Sequence, residues 1–389
     1  MTGLGEVLDG PRDDAARTQA AAGVPSANQN GPELDLFLTG SLFFDIVFTG
    51  LHTDPRPGTE VMADGMGSLP GGVANLAVAA ARLGLRTGLA SGFGDDAYGQ
   101  WNWQLLGEQE GIDLSRSRVI DGWHSPVTVS INAHGDRSMI THADELPLTT
   151  RELVGTPPDA RAYFVDLADP AAEDGGAEPW WAAARRNGAL IFADLGWDDS
   201  ESWDPKTLDR LEGCHGFLPN HVEAMAYTRT DTPEAAARAL AERVPLAVVT
   251  MGADGALAID ASTGEEARVP SVPVQMLDAT GAGDVFAAAM ITGTLRSWPL
   301  SERLGFATLC AALAVQNFGG SLGSPGWGDL AVWRREILGH AAADPAMRAL
   351  AERYDFVDCL LQQDAPVARR ARATIDFTHK NHHMKERKQ

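Results

Sequence analysis

The stretch that decides the fold of this chain lies in its C-terminal third and reads Leu277-Asp278-Ala279-Thr280-Gly281-Ala282-Gly283-Asp284-Val285-Phe286. It follows a strand-like segment and opens an apolar, alanine-rich helix. Because Gly281, Ala282 and Gly283 are small, the backbone N–H groups at the start of this helix are uncovered, and the helix dipole adds positive potential there. The stretch therefore predicts a site for an anion such as a phosphoryl group.

Asp284 follows these small residues directly. A carboxylate beside an anion site is electrostatically unfavourable, and abstraction of a proton from an attacking hydroxyl is a task that would justify its position. The alternative is structural, because a glycine-rich helix N-terminus with an aspartate in its first turn is common. This stretch alone leaves both interpretations open.

The composition excludes several classes of partner. The chain has 389 residues, of which 44% are hydrophobic, so it can bury a sizeable core. Its formal net charge is −22, and a chain this acidic repels nucleic acid and anionic membranes unless it carries a local basic patch. The only dense basic run in the sequence, residues 369–388, is predicted to be a solvated tail.

Cysteine usage and hydropathy favour a cytoplasmic protein. Cys214, Cys310 and Cys359 are far apart and odd in number, which predicts reduced thiols. The N-terminus lacks a basic region followed by an apolar core, so no signal peptide is expected. No run reaches about eighteen uninterrupted apolar residues, so no membrane span is expected either.

Hydrophobic periodicity predicts an α/β fold. Residues 162–167 and 189–194 are nearly all apolar, as parallel strands covered on both faces require, and helical segments separate them. Residues 306–316 predict a further apolar helix. Residues 127–132 and 137–141 alternate apolar and polar positions and predict a half-exposed hairpin outside the main sheet. Such a hairpin is either a lid over a cleft or a decoration at a sheet edge.

Further polar residues and glycines stand at the ends of predicted elements. Asp45 lies in an apolar run and either binds ligand hydroxyls at the carboxyl end of a strand of the main sheet or is satisfied by backbone N–H groups in a turn. The pair Gly71-Gly72 precedes a helix that contains Asn75, and it lets a ligand or another backbone come close. Asn220 and Glu223 have capping-box spacing, and the alternative is a polar pair near a phosphate and its Mg²⁺.

Taken together, these stretches resemble the ribokinase-like (PfkB-type) carbohydrate kinase family over about residues 34–328. Seven motifs occur in the family's order, and the last is the most specific. The residues that carry the resemblance are Gly40-Ser41 with Asp45, Pro55-Arg56-Pro57-Gly58, Gly71-Gly72 with Asn75, Gly92-Phe93-Gly94-Asp95-Asp96 with Gly99, Asn220 with Glu223, Thr250 with Gly252 and Gly255, and Asp278 to Asp284.

The resemblance implies a ribokinase-like three-layer α/β/α fold with a mostly parallel central sheet and a small β-sheet lid. It implies a kinase domain at residues 34–328, with lid segments at about 46–70 and 123–142. Outside it we expect a leader at residues 1–33, a helical extension at 329–361 and a loose basic tail at 362–389. The apolar face of the lid hairpin is compatible with a homodimer formed through the lid.

The activity implied by the resemblance is ATP-dependent transfer of the γ-phosphoryl group to a hydroxymethyl group of a sugar. Magnesium would assist, and the family often binds a monovalent cation such as K⁺ beside the anion hole. The roles that it implies are Asp284 as base; Gly281, Ala282 and Gly283 as anion hole; Asp45, Gly71, Gly72 and Asn75 as acceptor ligands; Thr250, Gly252, Gly255 and Gly320 beside the nucleotide; Asn220 and Glu223 near the phosphates and Mg²⁺, with Glu223 acting through water; and Asp278 with backbone near Ser324 for the monovalent cation.

Two departures bear on the substrate. Asp144 stands where many relatives carry an asparagine after the lid, and the Gly71-Gly72 signature lacks the extra Lys-Gly of ribokinases proper, which argues against ribose. A nucleoside kinase of the same fold is the first alternative, and a non-catalytic ligand-binding regulator, disfavoured by the intact Asp284, is the second. Aromatic residues that could stack on a base, or pack in the core or lid, are Phe43, Phe44, Trp123 and His124.

Overall fold

Fourteen β-strands form three sheets in this computed structural model, which describes residues 32–133, 136–167, 178–195, 201–317, 319–361 and 368. Nearly all of the predicted leader and basic tail lies outside these ranges. The strands are β1 (Leu34–Thr39), β2 (Leu42–Thr49), β3 (Gly65–Gly72), β4 (Thr87–Ala90), β5 (Gly92–Gly94), β6 (Arg118–Ile120), β7 (Val127–Ala133), β8 (Asp136–His142), β9 (Ala160–Asp166), β10 (Leu190–Asp194), β11 (Gly216–Phe217), β12 (Leu246–Thr250), β13 (Ala256–Asp260) and β14 (Glu265–Val269).

Eleven α-helices accompany the strands in the same ranges. None of the helices described there is long and apolar enough to cross a membrane. The helices are α1 (Ala74–Arg82), α2 (Ala97–Gln104), α3 (Thr150–Val154), α4 (Ala182–Arg186), α5 (His221–Thr228), α6 (Pro233–Ala241), α7 (Ala282–Leu295), α8 (Leu300–Ala314), α9 (Gly320–Gly323), α10 (Trp327–His340) and α11 (Pro345–Arg353).

The central sheet has eight strands in the order β14-β13-β12-β11-β10-β9-β1-β4. Neighbours from β12 to β4 are parallel, and β13 and β14 add an antiparallel edge. In β1, Leu36 and Leu38 belong to one buried core with α1, α7 and α8, whereas Phe37 points into a second core with α6. Since successive side chains of a strand face opposite sides, helices cover both faces. The predicted three-layer α/β/α fold is confirmed.

A separate four-stranded sheet stands outside the central one, in the order β3-β2-β7-β8. The predicted hairpin forms its edge, with β7 and β8 antiparallel, while β2 pairs with β7 in parallel and with β3 in antiparallel orientation. Met139 and Ile140 on β8 are 55% and 70% exposed. Such exposed apolar side chains at an edge strand offer a surface to a partner. A third sheet pairs β5 with β6.

Several element bounds differ from those that the sequence predicts. α8 begins at Leu300, six residues before the predicted start at 306, because Pro299 precedes a turn whose Leu300 and Leu304 are buried. Asp45 lies within β2 of the four-stranded sheet, so it does not stand at the end of a central strand, where the sequence placed it. Its neighbours in that sheet are set by strand register.

The predicted C-terminal helical extension forms α10, α11 and a 3₁₀ segment, Asp355–Cys359. Arg334 of α10 donates two hydrogen bonds of 2.6 Å to the carboxylate of Asp358, which ties the segment to the helix. The rings of Trp333 and Tyr354 pack edge to face against each other, and both residues belong to the buried core that contains α8. The extension is therefore part of the folded core in the described residues.

Candidate active site

The N-terminus of α7 is set by one glycine. Gly281 has φ +72° and ψ 4°, a left-handed conformation that glycine adopts at little cost. A β-carbon at this position would collide with the α-carbon of Gly320 and lie 3.1 Å from Cγ of Asn75. Both the conformation and the space therefore require glycine where α7 starts.

The start of α7 opens towards solvent. The first N–H groups of a helix have no partner within the helix, and they carry its positive dipole end. Among the predicted anion-hole residues, Ala282 already donates its N–H to the carbonyl of Ala279 at 3.2 Å. Gly283 is exposed, and a β-carbon there would meet nothing within 4 Å. The open donors of the first turn thus lie beyond Ala282.

Asp284 lies in the first turn of α7 and is partly buried. Nδ2 of Asn75 donates a hydrogen bond of 3.1 Å to its Oδ2. Burial raises the pKa of Asp284 to about 7, the Asn75 amide acts in the opposite direction, and the charge of Asp194 raises the pKa further. A carboxyl group that ionises near neutral pH suits a general base, because its pKa lies close to the working pH.

A cleft of about 380 Å³ runs along the start of α7. It is lined by Thr250, Gly252 and Gly255 from the β12–β13 turn and by Ala282 and Gly283 from α7, so two predicted sites share one cavity. Gly252 and Gly255 have φ of +56° and +90°, which explains why this turn needs glycine. Further lining side chains are mostly apolar: Val272, Pro273, Val274, Met276, Phe286, Ala311, Ala312 and Val315.

Gly320, predicted beside the nucleotide, lies elsewhere. It is buried at the start of α9, and a β-carbon there would be 2.6 Å from Oδ1 of Asn75 and 2.8 Å from the α-carbon of Gly281. It is not among the described residues that line the cleft. Because Gly320 has no side chain, the start of α9 can lie close to α1 and to the start of α7.

Asn220 and Glu223 form the capping box that their spacing predicts. Oδ1 of Asn220 accepts from the N–H groups of Val222 and Glu223, and Oε2 of Glu223 accepts from the N–H of Asn220 at 3.1 Å. Asn220 also bridges to Thr250, which places the pair beside the cleft. Burial raises the pKa of Glu223 to about 7; the N–H of Asn220 opposes this and the charge of Asp194 adds to it.

This raised pKa gives a prediction for stability. Glu223 ionises in the unfolded chain near the ordinary glutamate pKa of 4.5 but resists ionisation when folded, so the folded state loses stability as pH rises from about 4.5 to 7. Glu223→Gln should therefore raise Tm at pH 8 by about 1–2 °C, for about 1 kcal/mol after screening by solvent, with little gain at pH 4. Thermal melts at the two pH values measure the difference.

Glu152 offers a matched control, since it forms a capping box with Thr149 at the start of α3. It is exposed, and hydrogen bonds from the N–H and hydroxyl of Thr149 lower its pKa. Glu152→Gln should therefore lower Tm at pH 8, the opposite sign. An equal Tm gain of Glu223→Gln at both pH values would contradict the assigned burial of this carboxyl group.

Three of the residues that the resemblance implies as acceptor ligands, Asp45, Gly71 and Gly72, lie on the paired strands β2 and β3. The carboxylate of Asp45 lies where a β-carbon of Gly71 would be, so Gly71 makes room for it. Burial raises the pKa of Asp45 to about 7, the charge of Asp278 raises it further, and a hydrogen bond from Thr128 lowers it. Gly72, with φ +60°, turns the chain from β3 towards α1. Asp45, Gly71 and Gly72 are thus neighbours, as the resemblance implied.

Asp278, predicted to bind a monovalent cation, is buried and hydrogen-bonded through both oxygens. Oδ1 accepts from the N–H and hydroxyl of Thr280, and Oδ2 accepts from the N–H of Gly319 at 3.0 Å. The carbonyl oxygen of Ser324 accepts from Arg82 at 2.7 Å. Within the described ranges, no group of three or more His, Cys, Asp or Glu side chains is arranged to hold a metal ion.

Asp194 is the acidic residue that the sequence analysis did not select. It ends β10, its Oδ1 accepts from the N–H of Leu195, and its charge acts on both Glu223 and Asp284. The signal that could have identified it is an aspartate at the carboxyl end of an apolar parallel strand, where open α/β sheets bind ligands.

The aromatic residues that would favour a nucleoside acceptor have packing partners. Phe44 is buried, and its ring centroid is 4.7 Å from that of Tyr98 and 5.1 Å from that of Trp101. Nε1 of Trp123 donates to the carbonyl of Glu145. Phe43 packs against the position of Gly72, and the His124 side chain is 75% exposed. Phe44 and Trp123 thus have the core and lid contacts of packing residues.

Known proteins identify the family. The model of the pfkB family carbohydrate kinases matches residues 36–326. A nucleoside kinase of Methanothermobacter thermautotrophicus is 29% identical over 304 residues, which cover 76% of this chain and 94% of the relative. A fructokinase of Klebsiella pneumoniae is 31% identical over 297 residues, which cover 70% of this chain and 94% of the fructokinase.

The fold of the chain is shared with solved kinases. The structure of Arabidopsis thaliana ribokinase complexed with ribose and ATP superposes with a TM-score of 0.61 at 23% identity, over 77% of this chain and 97% of the ribokinase. The match of the family model spans most of the chain and contains the α7 site, the cleft and the four-stranded sheet. The chain therefore belongs to the PfkB family of carbohydrate kinases, which are phosphotransferases.

Proposed function

We propose that this chain transfers the γ-phosphoryl group of ATP to a hydroxymethyl group of a sugar or sugar derivative, with Asp284 as the base. The observation that carries the proposal is the position of Asp284 in the first turn of α7, beside open backbone donors and a cleft. A base next to donors that stabilise a transferring phosphoryl group is the arrangement that phosphoryl transfer requires.

The substrates have distinct places in this proposal. The adenine and ribose of ATP occupy the apolar cleft at Thr250, Gly252 and Gly255, and its γ-phosphoryl group lies at the start of α7. The acceptor lies on the other side of Asp284, where Asp45 accepts hydrogen bonds from its hydroxyls above the glycine pair of β3. This order places the acceptor hydroxyl between the base and the phosphoryl group.

The carboxylates of Glu223 and Asp194 are suited to hold an Mg²⁺ ion mainly through water molecules. Mg²⁺ in kinases binds to one or two carboxylates together with waters and substrate phosphates. The charge of Asp194 acts on Glu223, and Asn220, the capping partner of Glu223, bridges to Thr250 in the cleft wall. When bound there, Mg²⁺ would neutralise phosphate charge. A monovalent cation such as K⁺ would have to share Asp278 with Thr280 and Gly319.

The four-stranded sheet is the lid in this proposal. It contributes Asp45 and the glycine pair, so its closure over the acceptor would exclude water from the reaction. The exposed Met139 and Ile140 are the surface through which two lids would pair in a homodimer. The free cysteines Cys214, Cys310 and Cys359 agree with a reducing, cytoplasmic location.

The test is ADP release from Mg-ATP across a panel of hexoses, pentoses, sugar acids, phosphosugars and nucleosides. We expect a sugar or sugar derivative to give the highest kcat/KM. If no compound in the panel gives ADP release while calorimetry shows that ATP still binds, the result would contradict the proposed kinase activity.

A nucleoside acceptor is the second candidate, and the 29% identity to a nucleoside kinase supports it. The packing of Phe44 and Trp123 argues against it, since these rings are engaged with Tyr98, Trp101 and Glu145. Turnover of nucleosides without turnover of sugars in the same panel would decide for this candidate.

A further inference from the structure

Asn75, which the resemblance implied as an acceptor ligand, contacts Asp284 in the structure. It lies in the first turn of α1, its side chain is only 6% exposed, and its Nδ2 donates to Oδ2 of Asp284 at 3.1 Å. α1 packs against both α7 and α9, so Asn75 sits where the three helix starts meet.

Two glycines enclose the Asn75 amide. A β-carbon on Gly320 would lie 2.6 Å from its Oδ1, and a β-carbon on Gly281 would lie 3.1 Å from its Cγ. Oδ1 is buried without a hydrogen-bond partner among the described residues. A flipped amide would place this oxygen against the Asp284 carboxylate, where two acceptors repel. The contact with Asp284 therefore fixes the amide orientation, at the cost of one unpaired acceptor.

We propose that Asn75 is a positioning residue that holds Oδ2 of Asp284 in place and favours its ionised form. This inference rests on the proposed role of Asp284 as the base. Gly281 and Gly320 are then small because the amide has to reach between them to the carboxylate.

The charged groups around Asp284 make the effect of Asn75 measurable. Asp194 from β10 opposes ionisation of Asp284, and Asp45 from β2, Asp278 before α7 and Glu223 from α5 are the further acids at this end of the sheet. A donor N–H stabilises the ionised carboxylate. Loss of the Asn75 amide should therefore raise the pKa of Asp284. The pH below which kcat/KM falls should rise with it.

The experiment is a ¹³C NMR titration of the full-length protein labelled at aspartate carboxyls, with Asp284→Asn to assign the Asp284 signal. Asn75→Ala should raise the pKa of Asp284 by about one unit, and the isosteric Asn75→Asp, which adds a negative charge, should raise it more. With an accepted sugar, the pH profile of kcat/KM should shift along the pH axis by the same amount.

Asn102 is the matched control, because it is 1% exposed, donates through Nδ2 to the carbonyl of Phe43 and also has an unpartnered Oδ1. Asn102→Ala should leave the Asp284 titration unchanged. Asn75 variants in which Asp284 titrates as it does in the wild type would overturn the proposal. Because the titration needs no turnover, an inactive wild type would overturn only the proposed function.

Discussion

Replacing Asp284 with asparagine is expected to lower kcat by about 10³-fold while ATP affinity changes by less than about threefold. The amide cannot take the proton of the acceptor hydroxyl, but it keeps the size of the carboxylate and an oxygen that can accept from Nδ2 of Asn75. The start of α7 and the cleft should therefore stay as they are. Steady-state kinetics and calorimetry with ATP measure the two quantities separately.

The pH profile adds a second check on this variant. Since burial raises the pKa of Asp284 to about 7, its carboxyl group is protonated at lower pH and cannot act as the proposed base, so kcat/KM should fall as pH decreases below that value. Residual activity of Asp284→Asn should lack this dependence. The pKa values of Asp45 and Glu223 lie in the same range. If the fall of activity at low pH persists unchanged in Asp284→Asn, it arises from the ionisation of one of these two residues.

Asp344→Asn is the control for an aspartate at a helix N-terminus. Asp344 caps α11 far along the chain from the site, with Oδ1 accepting from the N–H of Ala346 at 2.8 Å. Asparagine caps helices as well as aspartate does, so stability and kcat should both be unchanged. A kcat of Asp284→Asn close to that of wild type would exclude Asp284 as the base.

The fold could be predicted from the sequence because its signals are local. Each pattern predicts the conformation of its own segment: the apolar runs of β9 and β10, the alternation in β7 and β8, and the glycines at the start of α7. The capping box of Asn220 and Glu223 is equally local, since its three hydrogen bonds join residues within one turn.

The contacts that define the site could not be predicted, because they join distant parts of the chain. Asn75 and Asp284 are 209 positions apart, and no pattern near either residue records their hydrogen bond. The resemblance implies that Gly320 lies beside the nucleotide, but its neighbours in the structure are Asn75 and Gly281. Asp194 acts on Glu223 and Asp284 only after the central sheet brings strand ends together.

Gly281→Ala is expected to lower kcat by about 10²-fold or more, even though it adds one methyl group. The residue holds φ +72°, and its β-carbon would collide with the backbone of Gly320 and press on Asn75. Relief requires the start of α7 to move, which shifts the backbone donors away from the phosphoryl group and breaks the Asn75–Asp284 contact. Steady-state kinetics, with circular dichroism to confirm folding, measure this loss.

Gly264→Ala separates collision from backbone strain. Gly264 lies in the turn between β13 and β14 with φ +77°, and a β-carbon there would meet nothing within 4 Å. Both variants bear the cost of a left-handed alanine, about 1–2 kcal/mol, so both should melt earlier than wild type. Only Gly281→Ala should lose activity, because only its methyl group displaces the α7 start. Equal kcat in the two variants would mean that backbone placement at α7 does not control phosphoryl transfer.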